Sequence, residues 1–387
     1  MASYTVKTYN SISNVGLDRF GASYSVGPDG GQPDAIMLRS FDLHSEPVAD
    51  SVLAVARAGA GVNNIPVDKL TERGIAVFNT PGANANAVKE LVLSGMLMAA
   101  RNLPQAMNYT LSLGPDNMKE AVEAGKKQFA GFELLGKTLG VIGLGAIGRL
   151  VARAAIDLGM AVIGYDPALP SPAKDLPPEL RRSKNLKAVL ENSDLVTIHV
   201  PLVDGTKNLI NEQRLGLMKP GAVLLNFSRD QIVDEEAALA ALDAKKLSYY
   251  VTDFPTQPLL ANERVISLPH LGASTSEAED NCAVMAADQL QRYLEDGTTQ
   301  FSVNLPAVEL GKTGGVRLTL IHANKPDMMA QFTQAVSDSG QNIAGLANGS
   351  RGEVAYTIMD LDSEKIGTGL FEKLSQVPGM IRTRVIS

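Results

Sequence analysis

The chain has 387 residues, of which 45% are hydrophobic and 20% charged, so we expect two or three globular domains at about 150 residues each. Its formal net charge of −7, without a long basic run, argues against nucleic acid as a partner. A single cysteine excludes an intramolecular disulfide, and one cysteine with four histidines argues against a metal site. The longest apolar stretch (91–100) is half the ~20 residues that a membrane span needs, which argues against a membrane-spanning helix.

The first 100 residues contain apolar runs that alternate with polar or glycine-containing turns. The runs lie at 35–38, 52–56 and 75–78, and this alternation predicts an α/β unit at the start of the chain. A helix is expected at 86–101. Because this helix is apolar almost all round, we expect it to be buried at a domain or subunit contact.

The middle of the chain carries the clearest pattern, in which short apolar runs alternate with helical stretches. The runs lie at 138–144, 161–165, 195–200, 222–227, 249–252 and 265–268, and a helix at 147–158 follows the first of them. The segment 234–244 is the most helix-prone, with acidic residues in its first turn. Such alternation predicts βαβ units in a doubly wound parallel sheet.

The pattern changes again toward the C-terminus. We expect a helix at 276–295, which can carry the chain back to the first unit, because Ser276 and Glu279 form a capping-box pattern and Gly297 follows its end. The segment 311–315 has the composition of a flexible linker. Beyond it, strands at 316–322, 342–347, 354–361 and 381–386, with helices at 326–337 and 364–374, predict a ferredoxin-like βαββαβ module.

A glycine-rich motif opens the first helix of the predicted parallel sheet. It reads Gly143-Leu144-Gly145-Ala146-Ile147-Gly148 and matches G-x-G-x-x-G directly after an apolar strand. There the glycines allow a tight turn, close approach of a pyrophosphate and close helix packing. Asp166 ends the next strand, 18 residues past Gly148, where a carboxylate accepts hydrogen bonds from ribose hydroxyls and repels a 2′-phosphate. The sequence therefore predicts a Rossmann fold that binds NAD.

Four polar side chains follow strands of this sheet, at the carboxyl ends where such folds bind ligands. They are His199, Arg229, Asp253 and His270. The His270 imidazole can take a hydroxyl proton while hydride leaves the same carbon, and Arg229 offers a planar fork for a carboxylate or a carbonyl oxygen. From position alone, these two residues are equally open to catalytic and structural roles. The place of His199 favours packing or cofactor support.

Three motifs, in the same order, resemble those of the NAD-dependent D-2-hydroxyacid dehydrogenases. They are the segments 136–148, 226–230 (Asn-Phe-Ser-Arg-Asp) and 269–275 (Pro-His-Leu-Gly-Ala-Ser-Thr). The segments 57–64 and 78–81 and the C-terminal module resemble family members that act on a phosphorylated substrate, so the resemblance spans essentially the whole chain. It implies oxidation of D-3-phosphoglycerate to 3-phosphohydroxypyruvate, the first step of L-serine biosynthesis.

The resemblance also implies a role for each site residue. Arg229 would bind the substrate carboxylate and oxygen, His270 would be the acid/base, and Asp253 would contact the nicotinamide end of the cofactor. The implied cofactor residues are Gly143, Gly145, Ala146, Ile147, Gly148, Asp166, His199, Pro201 and Asp253. The implied substrate residues are Arg39, Ser40, Arg57, Ala58, Gly59, Ala60 and Gly61. Of these, Arg39 and Arg57 are candidates for the substrate phosphate.

One position departs from the family pattern. Family members place a glutamate a few residues past the Asp253 region to pair with the catalytic histidine, and Gln257 stands at or near that place here. As the catalytic partner, Gln257 can orient the His270 imidazole by a hydrogen bond but cannot stabilise imidazolium by charge. The alternative is that Asp253 or another carboxylate takes this role.

The last ~70 residues resemble an ACT regulatory domain, a module that pairs edge to edge and binds amino acids at the interface. His322, Asn324 and Asn342 match residues that bind serine in some family members, which implies L-serine as an effector. Against this, Asp327 stands where such turns usually have glycine, which permits close ligand approach. The alternative is a module that serves dimerisation alone.

Together these features predict three domains. Residues 1–99 and 276–304 would form a flavodoxin-like α/β substrate domain, 100–275 an inserted Rossmann domain and 315–387 the ACT module. The resemblance implies a homodimer, which ACT pairing can extend to a homotetramer. We expect a cytoplasmic enzyme without a metal, nucleic-acid or membrane partner. Two other functions stay open: a dehydrogenase of a non-phosphorylated acid, and an NAD-sensing binding protein with vestigial catalysis.

Overall fold

The computed structural model describes residues 4–29, 31–114, 116–170, 175–313 and 315–386. The chain divides into two compact units, which we call the split unit (Met1–Asn84 with Ser276–Ser387) and the inserted unit (Ala85–Thr275). The inserted unit interrupts the split unit in the sequence. It begins at residue 85 and not at 100, because the helix Ala85–Ala100 packs its apolar side chains into the core of the parallel sheet that follows it.

A parallel sheet forms the N-terminal part of the split unit. Its strands are β1 (Tyr4–Thr8), β2 (Tyr24–Gly27), β3 (Ala35–Leu38), β4 (Ala54–Arg57) and β5 (Ala76–Phe78), and its helices are α1 (Asn14–Leu17) and α2 (Val67–Glu72). The strand order within the described residues is β2-β1-β3-β4-β5. The three predicted apolar runs become β3, β4 and β5, which are almost completely buried.

The inserted unit contains the predicted doubly wound parallel sheet. Its helices are α3 (Ala85–Ala100), α4 (Leu103–Ser112), α5 (Met118–Gly125), α6 (Ala146–Asp157), α7 (Leu186–Asn192), α8 (Glu212–Leu217), α9 (Glu235–Asp243) and α10 (Gln257–Leu260). Its strands are β6 (Thr138–Ile142), β7 (Ala161–Tyr165), β8 (Arg181–Ser183), β9 (Leu195–Ile198), β10 (Ala222–Asn226), β11 (Leu247–Thr252) and β12 (Val265–Ser267).

Strand order in the inserted unit fixes where a ligand can bind. Within the described residues the order is β12-β11-β10-β9-β6-β7-β8, and two apolar clusters lie on opposite sides of the sheet. The chain moves outward from β6 in one direction through β7 and then in the other through β9. Crevices at the carboxyl ends of strands beside such a switch point are the usual ligand sites of these sheets.

Helix α11 (Ser276–Asp296) returns the chain to the split unit, as the sequence predicts. Its small side chains allow a close approach to the first sheet and to α1, so that a Cβ added to Gly16 would lie 2.4 Å from Ala283. The free cysteine, Cys282, is buried on this face. No helix of the described ranges combines the length and the apolar character that a membrane crossing requires.

The C-terminal part of the split unit is the expected βαββαβ module. Its elements are β13 (Arg317–Ala323), α12 (Met328–Asp338), β14 (Ile343–Arg351), β15 (Val354–Leu361), α13 (Leu370–Ser375) and β16 (Met380–Ile386). The sheet is antiparallel, in the order β14-β15-β13-β16. Both helices pack on one face of it, around Leu320 and Phe332.

The other face of this sheet packs against the rest of the split unit. Tyr356 and Ile358 share an apolar cluster with Phe78 and Tyr293, which belong to β5 and α11. Arginines of the module donate hydrogen bonds to backbone carbonyls across the contact: Arg317 to Asp296, Arg351 to Ser302 and Val303, Arg382 to Asp50 and Val52, and Arg384 to Tyr293 and Leu294. The module is therefore packed into the split unit over a whole sheet face.

Candidate active site

The glycine motif lies where β6 passes into α6, next to the end of β9. A Cβ added to Gly143, whose φ is +92°, would lie 2.3 Å from the carbonyl oxygen of His199. A Cβ on Gly148 would lie 1.9 Å from the carbonyl oxygen of Gly143, whereas one on Gly145 would meet no atom within 4 Å. Two glycines are thus required by packing, and Gly145 leaves open space at the N-terminus of α6, where backbone amides favour a phosphate.

Asp166 follows β7 and closes the other side of this motif. Its two carboxylate oxygens accept hydrogen bonds from the backbone amides of Leu144 and Ala168, both at 2.9 Å. Arg182 approaches from β8, but its guanidinium donates to the backbone carbonyls of Leu169 and Pro170. The open space at the glycine motif and the carboxylate beside it fit a dinucleotide with a free ribose 2′-hydroxyl, which is NAD.

His199 directly follows β9 and is held by the neighbouring strands. Its amide donates to the Ile142 carbonyl at 2.7 Å, and its Nε2 lies 2.9 Å from Thr197 Oγ1. Burial lowers the pKa of His199 to about 3, so that the ring is neutral at physiological pH. Its buried Nδ1 has no hydrogen-bond partner among the described residues. Pro201 lies two residues further on and is exposed. These features suit support of a ligand and do not suit proton transfer.

The other three predicted reactive groups come from loops after adjacent strands. β10, β11 and β12 are neighbours in the sheet, and Arg229, Asp253 and His270 follow them in that order. The Arg229 guanidinium is exposed, with Nη1 donating to the Ser228 carbonyl at 2.6 Å. His270 is also exposed, and its backbone has a φ of +45°.

Asp253 connects these groups. Its carbonyl oxygen accepts a hydrogen bond from the His270 amide at 3.0 Å, and the residue as a whole is 1% exposed. Burial raises the pKa of Asp253, whereas electrostatic interaction with the His270 and Arg229 side chains and a hydrogen bond from the Gly272 amide act in the opposite direction. The ring of Phe254 packs against the imidazole, with 5.0 Å between the centroids. The structure thus gathers a cation, a carboxylate and an imidazole at one edge of the sheet.

Gln257 is placed differently. It is the first residue of α10 and is exposed, and the described hydrogen bonds include none between its side chain and His270. The preceding Thr256 fixes the helix start, since its hydroxyl accepts from the Leu259 amide and donates to Glu235 at 2.8 Å. Among the described residues, the structure therefore shows no hydrogen bond between the predicted pair of Gln257 and His270.

The predicted substrate residues lie in the split unit, at the ends of β3 and β4. Arg39 forms an ion pair with Glu279 of α11 at 2.7 Å, and Arg57 Nε donates to the Arg39 carbonyl at 3.0 Å. The Arg57 guanidinium lies over Gly59, where an added Cβ would be 2.4 Å from Nη1. Ser40 follows Arg39, and its amide donates to Asn10 at 3.2 Å. Arg39, Ser40, Arg57 and the loop of Ala58, Gly59, Ala60 and Gly61 thus form one connected surface.

The three predicted effector residues do not meet within one chain. His322 is 2% exposed, and its ring nitrogens lie 2.9 Å from the Ala323 carbonyl and 3.0 Å from Thr357 Oγ1. Asn324 donates to the Gly352 carbonyl at 2.9 Å. His322 pairs with Ala355 of β15, whereas Asn342 adjoins the pairing at Leu361, which is about 20 Å away along the strand.

Some residues of these sites could not be read from the sequence. Phe254 and Gly272 contact the Asp253–His270 pair, and Glu279 balances the charge of Arg39. Glu279 was visible only as part of a capping-box pattern. Among the described residues, no group of three or more His, Cys, Asp or Glu gathers as metal ligands would.

Comparisons with known proteins show similarity to 2-hydroxyacid dehydrogenases. The family described as "D-isomer specific 2-hydroxyacid dehydrogenase, NAD binding domain" matches residues 93–272. The chain is 34% identical over 367 residues to the D-3-phosphoglycerate dehydrogenase of Escherichia coli K12, covering 91% of this chain and 86% of that protein. It is 39% identical over 273 residues to the hydroxypyruvate reductase of Thermotoga maritima, covering 67% and 85%. The crystal structure of a glyoxylate reductase from Paecilomyes thermophila matches with a TM-score of 0.63 and 28% identity, covering 78% and 99%.

Proposed function

The chain belongs to the D-isomer specific 2-hydroxyacid dehydrogenase family, and we propose that it oxidises D-3-phosphoglycerate to 3-phosphohydroxypyruvate with NAD, the first step of L-serine biosynthesis. The observation that carries this proposal is the gathering of Arg229, Asp253 and His270 in a nucleotide-binding unit of this family. The similarity to the Escherichia coli D-3-phosphoglycerate dehydrogenase, which extends over 91% of this chain, supports the choice of substrate.

The residues of the inserted unit divide the chemistry between them. His270 accepts the proton of the substrate 2-hydroxyl, and Arg229 pairs with the substrate carboxylate, for which its planar fork is suited. Bound NAD⁺ supplies the acceptor for the hydride, which leaves C2 with both electrons of the broken C–H bond. The products are a 2-oxo acid, NADH and one proton, which His270 releases to solvent.

Substrate selection falls to the split unit. We assign the phosphate to Arg39 and Arg57, and the remaining polar contacts to Ser40 and the loop amides of residues 58–61. Glu279 pairs with Arg39 at 2.7 Å, and Arg39 and Arg57 together supply the positive charge that favours a phosphorylated acid. The acidic net charge of the whole chain does not oppose this, since a phosphate is recognised by local charges.

A second candidate is a reductase of a non-phosphorylated acid, which the 39% identity to a hydroxypyruvate reductase favours. To decide, NADH oxidation is followed with 3-phosphohydroxypyruvate, hydroxypyruvate and a panel of other 2-oxo acids. We expect the highest kcat/KM with 3-phosphohydroxypyruvate, and a KM raised about tenfold for that substrate alone in Arg57→Ala. Equal kcat/KM for hydroxypyruvate would support the second candidate. Turnover of no acid would favour an NAD-sensing binding protein.

We also propose that the protein is a homo-oligomer, a dimer or tetramer, that responds to L-serine. Since His322 and Asn342 lie at opposite ends of one sheet, one small effector can reach both only where two modules pair. The internal hydrogen bonds of the His322 ring favour the alternative, a module for association alone. Sedimentation velocity gives the assembly, and loss of activity with millimolar L-serine tests the effector. Unchanged activity would reject feedback.

A further inference from the structure

The Asp253 carboxylate is buried in an unusual state. One oxygen, Oδ1, has no hydrogen-bond partner among the described residues, while the group accepts a hydrogen bond from the Gly272 amide. Burying an ionised carboxylate without full pairing destabilises a fold, so such groups are retained chiefly where function requires them. The burial and incomplete pairing of Asp253 therefore point to a functional role.

The charged groups that face Asp253 are few and are all catalytic candidates. His270, on the loop after β12, and Arg229, on the loop after β10, are the two side chains whose electrostatic interaction with the carboxylate lowers its pKa. The backbone ties the carboxylate and the imidazole together as well, because the His270 amide donates to the Asp253 carbonyl at 3.0 Å.

The backbone conformation of His270 and a neighbouring aromatic ring also constrain the histidine. Its left-handed backbone, with a φ of +45°, is a conformation that residues other than glycine rarely adopt and that often marks a functional site. Phe254, the neighbour of Asp253 in the chain, packs its ring against the imidazole at 5.0 Å between centroids. One short segment, Asp253 with Phe254, thus supplies both a charge and a packing surface to the histidine.

Gln257 offers His270 neither a charge nor a packing surface. It is exposed at the start of α10, and Thr256 anchors that start to Glu235 and to the Leu259 amide. A neutral amide would in any case leave the charge of an imidazolium uncompensated.

We propose that Asp253 is the positioning residue of His270, orienting the imidazole and stabilising its protonated form, a role that the sequence pattern of the family assigns to the position of Gln257. This rests on the proposed acid/base function of His270. Asp253 acts through the histidine and does not itself exchange a proton with the substrate.

The first test is the pH dependence of 2-hydroxy acid oxidation by Asp253→Asn. Removing the anion makes imidazolium less stable, so the acidic limb of the kcat/KM profile moves about one unit to lower pH, and kcat falls about tenfold or more. Asp253→Glu, which keeps the charge, returns the limb toward its original place. Gln257→Ala leaves the limb where it is. A limb that moves in Gln257→Ala but not in Asp253→Asn overturns the proposal.

The second test needs no substrate. Diethyl pyrocarbonate modifies neutral imidazole, so at pH 6 His270 of Asp253→Asn is modified about threefold faster than in the wild type, as peptide mass spectrometry measures. His44, which is exposed and paired with Asp42, serves as the internal reference. Equal rates at His270 in the two proteins refute the proposal. If the wild type turns over no acid, the proposed function fails, and this rate alone still decides the role of Asp253.

Thermal unfolding distinguishes this role of Asp253 from that of a purely structural carboxylate, whose removal would lower the Tm. Because burial raises the pKa of Asp253, its ionisation lowers stability as pH rises toward neutrality. Asp253→Asn removes that cost, so we expect a Tm at pH 7.5 equal to or above that of the wild type. A Tm lowered by several degrees together with an unmoved pH profile would make Asp253 a structural residue.

Discussion

Arg317→Met tests how firmly the C-terminal sheet is joined to the rest of the split unit. Arg317 on β13 and Asp360 on β15 form a two-pronged ion pair, with Nε to Oδ1 at 2.6 Å and Nη2 to Oδ2 at 2.7 Å. Their side chains are 4% and 2% exposed. The same guanidinium donates to the carbonyls of Asp296, where α11 ends, and Gly311. One side chain therefore joins two strands, a helix end and the connecting segment.

The magnitude follows from burial. Removing one partner of a buried, hydrogen-bonded ion pair leaves an uncompensated charge and costs about 3–5 kcal/mol. Thr313 donates to Asp360 Oδ2 through its amide and hydroxyl and softens this loss without supplying a charge. We therefore expect Arg317→Met to lower the free energy of unfolding by about 3 kcal/mol at pH 7. Arg317→Met with Asp360→Leu should recover most of it, since apolar replacements of both partners are often tolerated.

The pH dependence of this effect has a definite sign. Burial raises the pKa of Asp360, but hydrogen bonds from Arg317 and Thr313 outweigh it and hold the pKa below its ordinary value. The pair therefore stabilises the wild type above the unfolded pKa of about 4, and this contribution is lost as pH falls through the lower folded value. In Arg317→Met the buried carboxyl is uncompensated and favours protonation, so the difference between the two proteins should shrink from pH 7 to pH 4.

Urea unfolding followed by circular dichroism measures these differences. The matched control is Lys312→Ala, because Lys312 pairs with Asp296 at 2.9 Å but is 66% exposed, and such surface pairs contribute about 0–1 kcal/mol. If Arg317→Met loses no more stability than Lys312→Ala, the pair does not hold the module in place. A loss that is independent of pH would refute the electrostatic account even if its size were correct.

Two further predictions concern the cofactor motif and the module contact. Gly145→Ala should keep the Tm, because its Cβ meets no protein atom, but weaken NADH binding about tenfold, because the Cβ enters the space for the cofactor. Gly148→Ala should lower the Tm, because its Cβ would lie 1.9 Å from a carbonyl oxygen. Fluorescence titration measures NADH binding, and calorimetry measures the Tm. Arg384→Met should cost about 2 kcal/mol, from lost hydrogen bonds to carbonyls at the end of α11. The neighbouring Val385 has an exposed side chain, so Val385→Ala should lower the free energy of unfolding by only about 0.5 kcal/mol.

Most of the fold was predictable because buried parallel strands are short apolar runs. The six runs of the inserted unit are all strands, and helix α6 begins one residue from its expected start. The strands that the sequence did not reveal are β1, β2 and β8, of which β2 and β8 are edge strands. An edge strand buries less of its surface, so its sequence, such as Arg-Arg-Ser in β8, carries little apolar signal.

The site was predictable up to the point where tertiary contacts decide. The rule that ligands bind after parallel strands selected Arg229, Asp253 and His270, and the structure does bring these three together. What the sequence could not supply is which of the candidate carboxylate and amide side chains is buried at the sheet edge. That depends on whether a side chain turns into the sheet edge, as Asp253 does, or out into solvent at a helix start, as Gln257 does.

The contact of the C-terminal module was hidden for a different physical reason. β16 reads Met-Ile-Arg-Thr-Arg-Val-Ile, and a period of two would place its arginines on the solvent face. The arginine face is instead the one that packs on the split unit, while Val385 is 37% exposed on the other. Arg382 donates to Val52, 330 residues away, and Arg384 to Tyr293, 91 residues away. The acceptors are backbone carbonyls, which every residue carries, so no pattern of residue types predicts this contact.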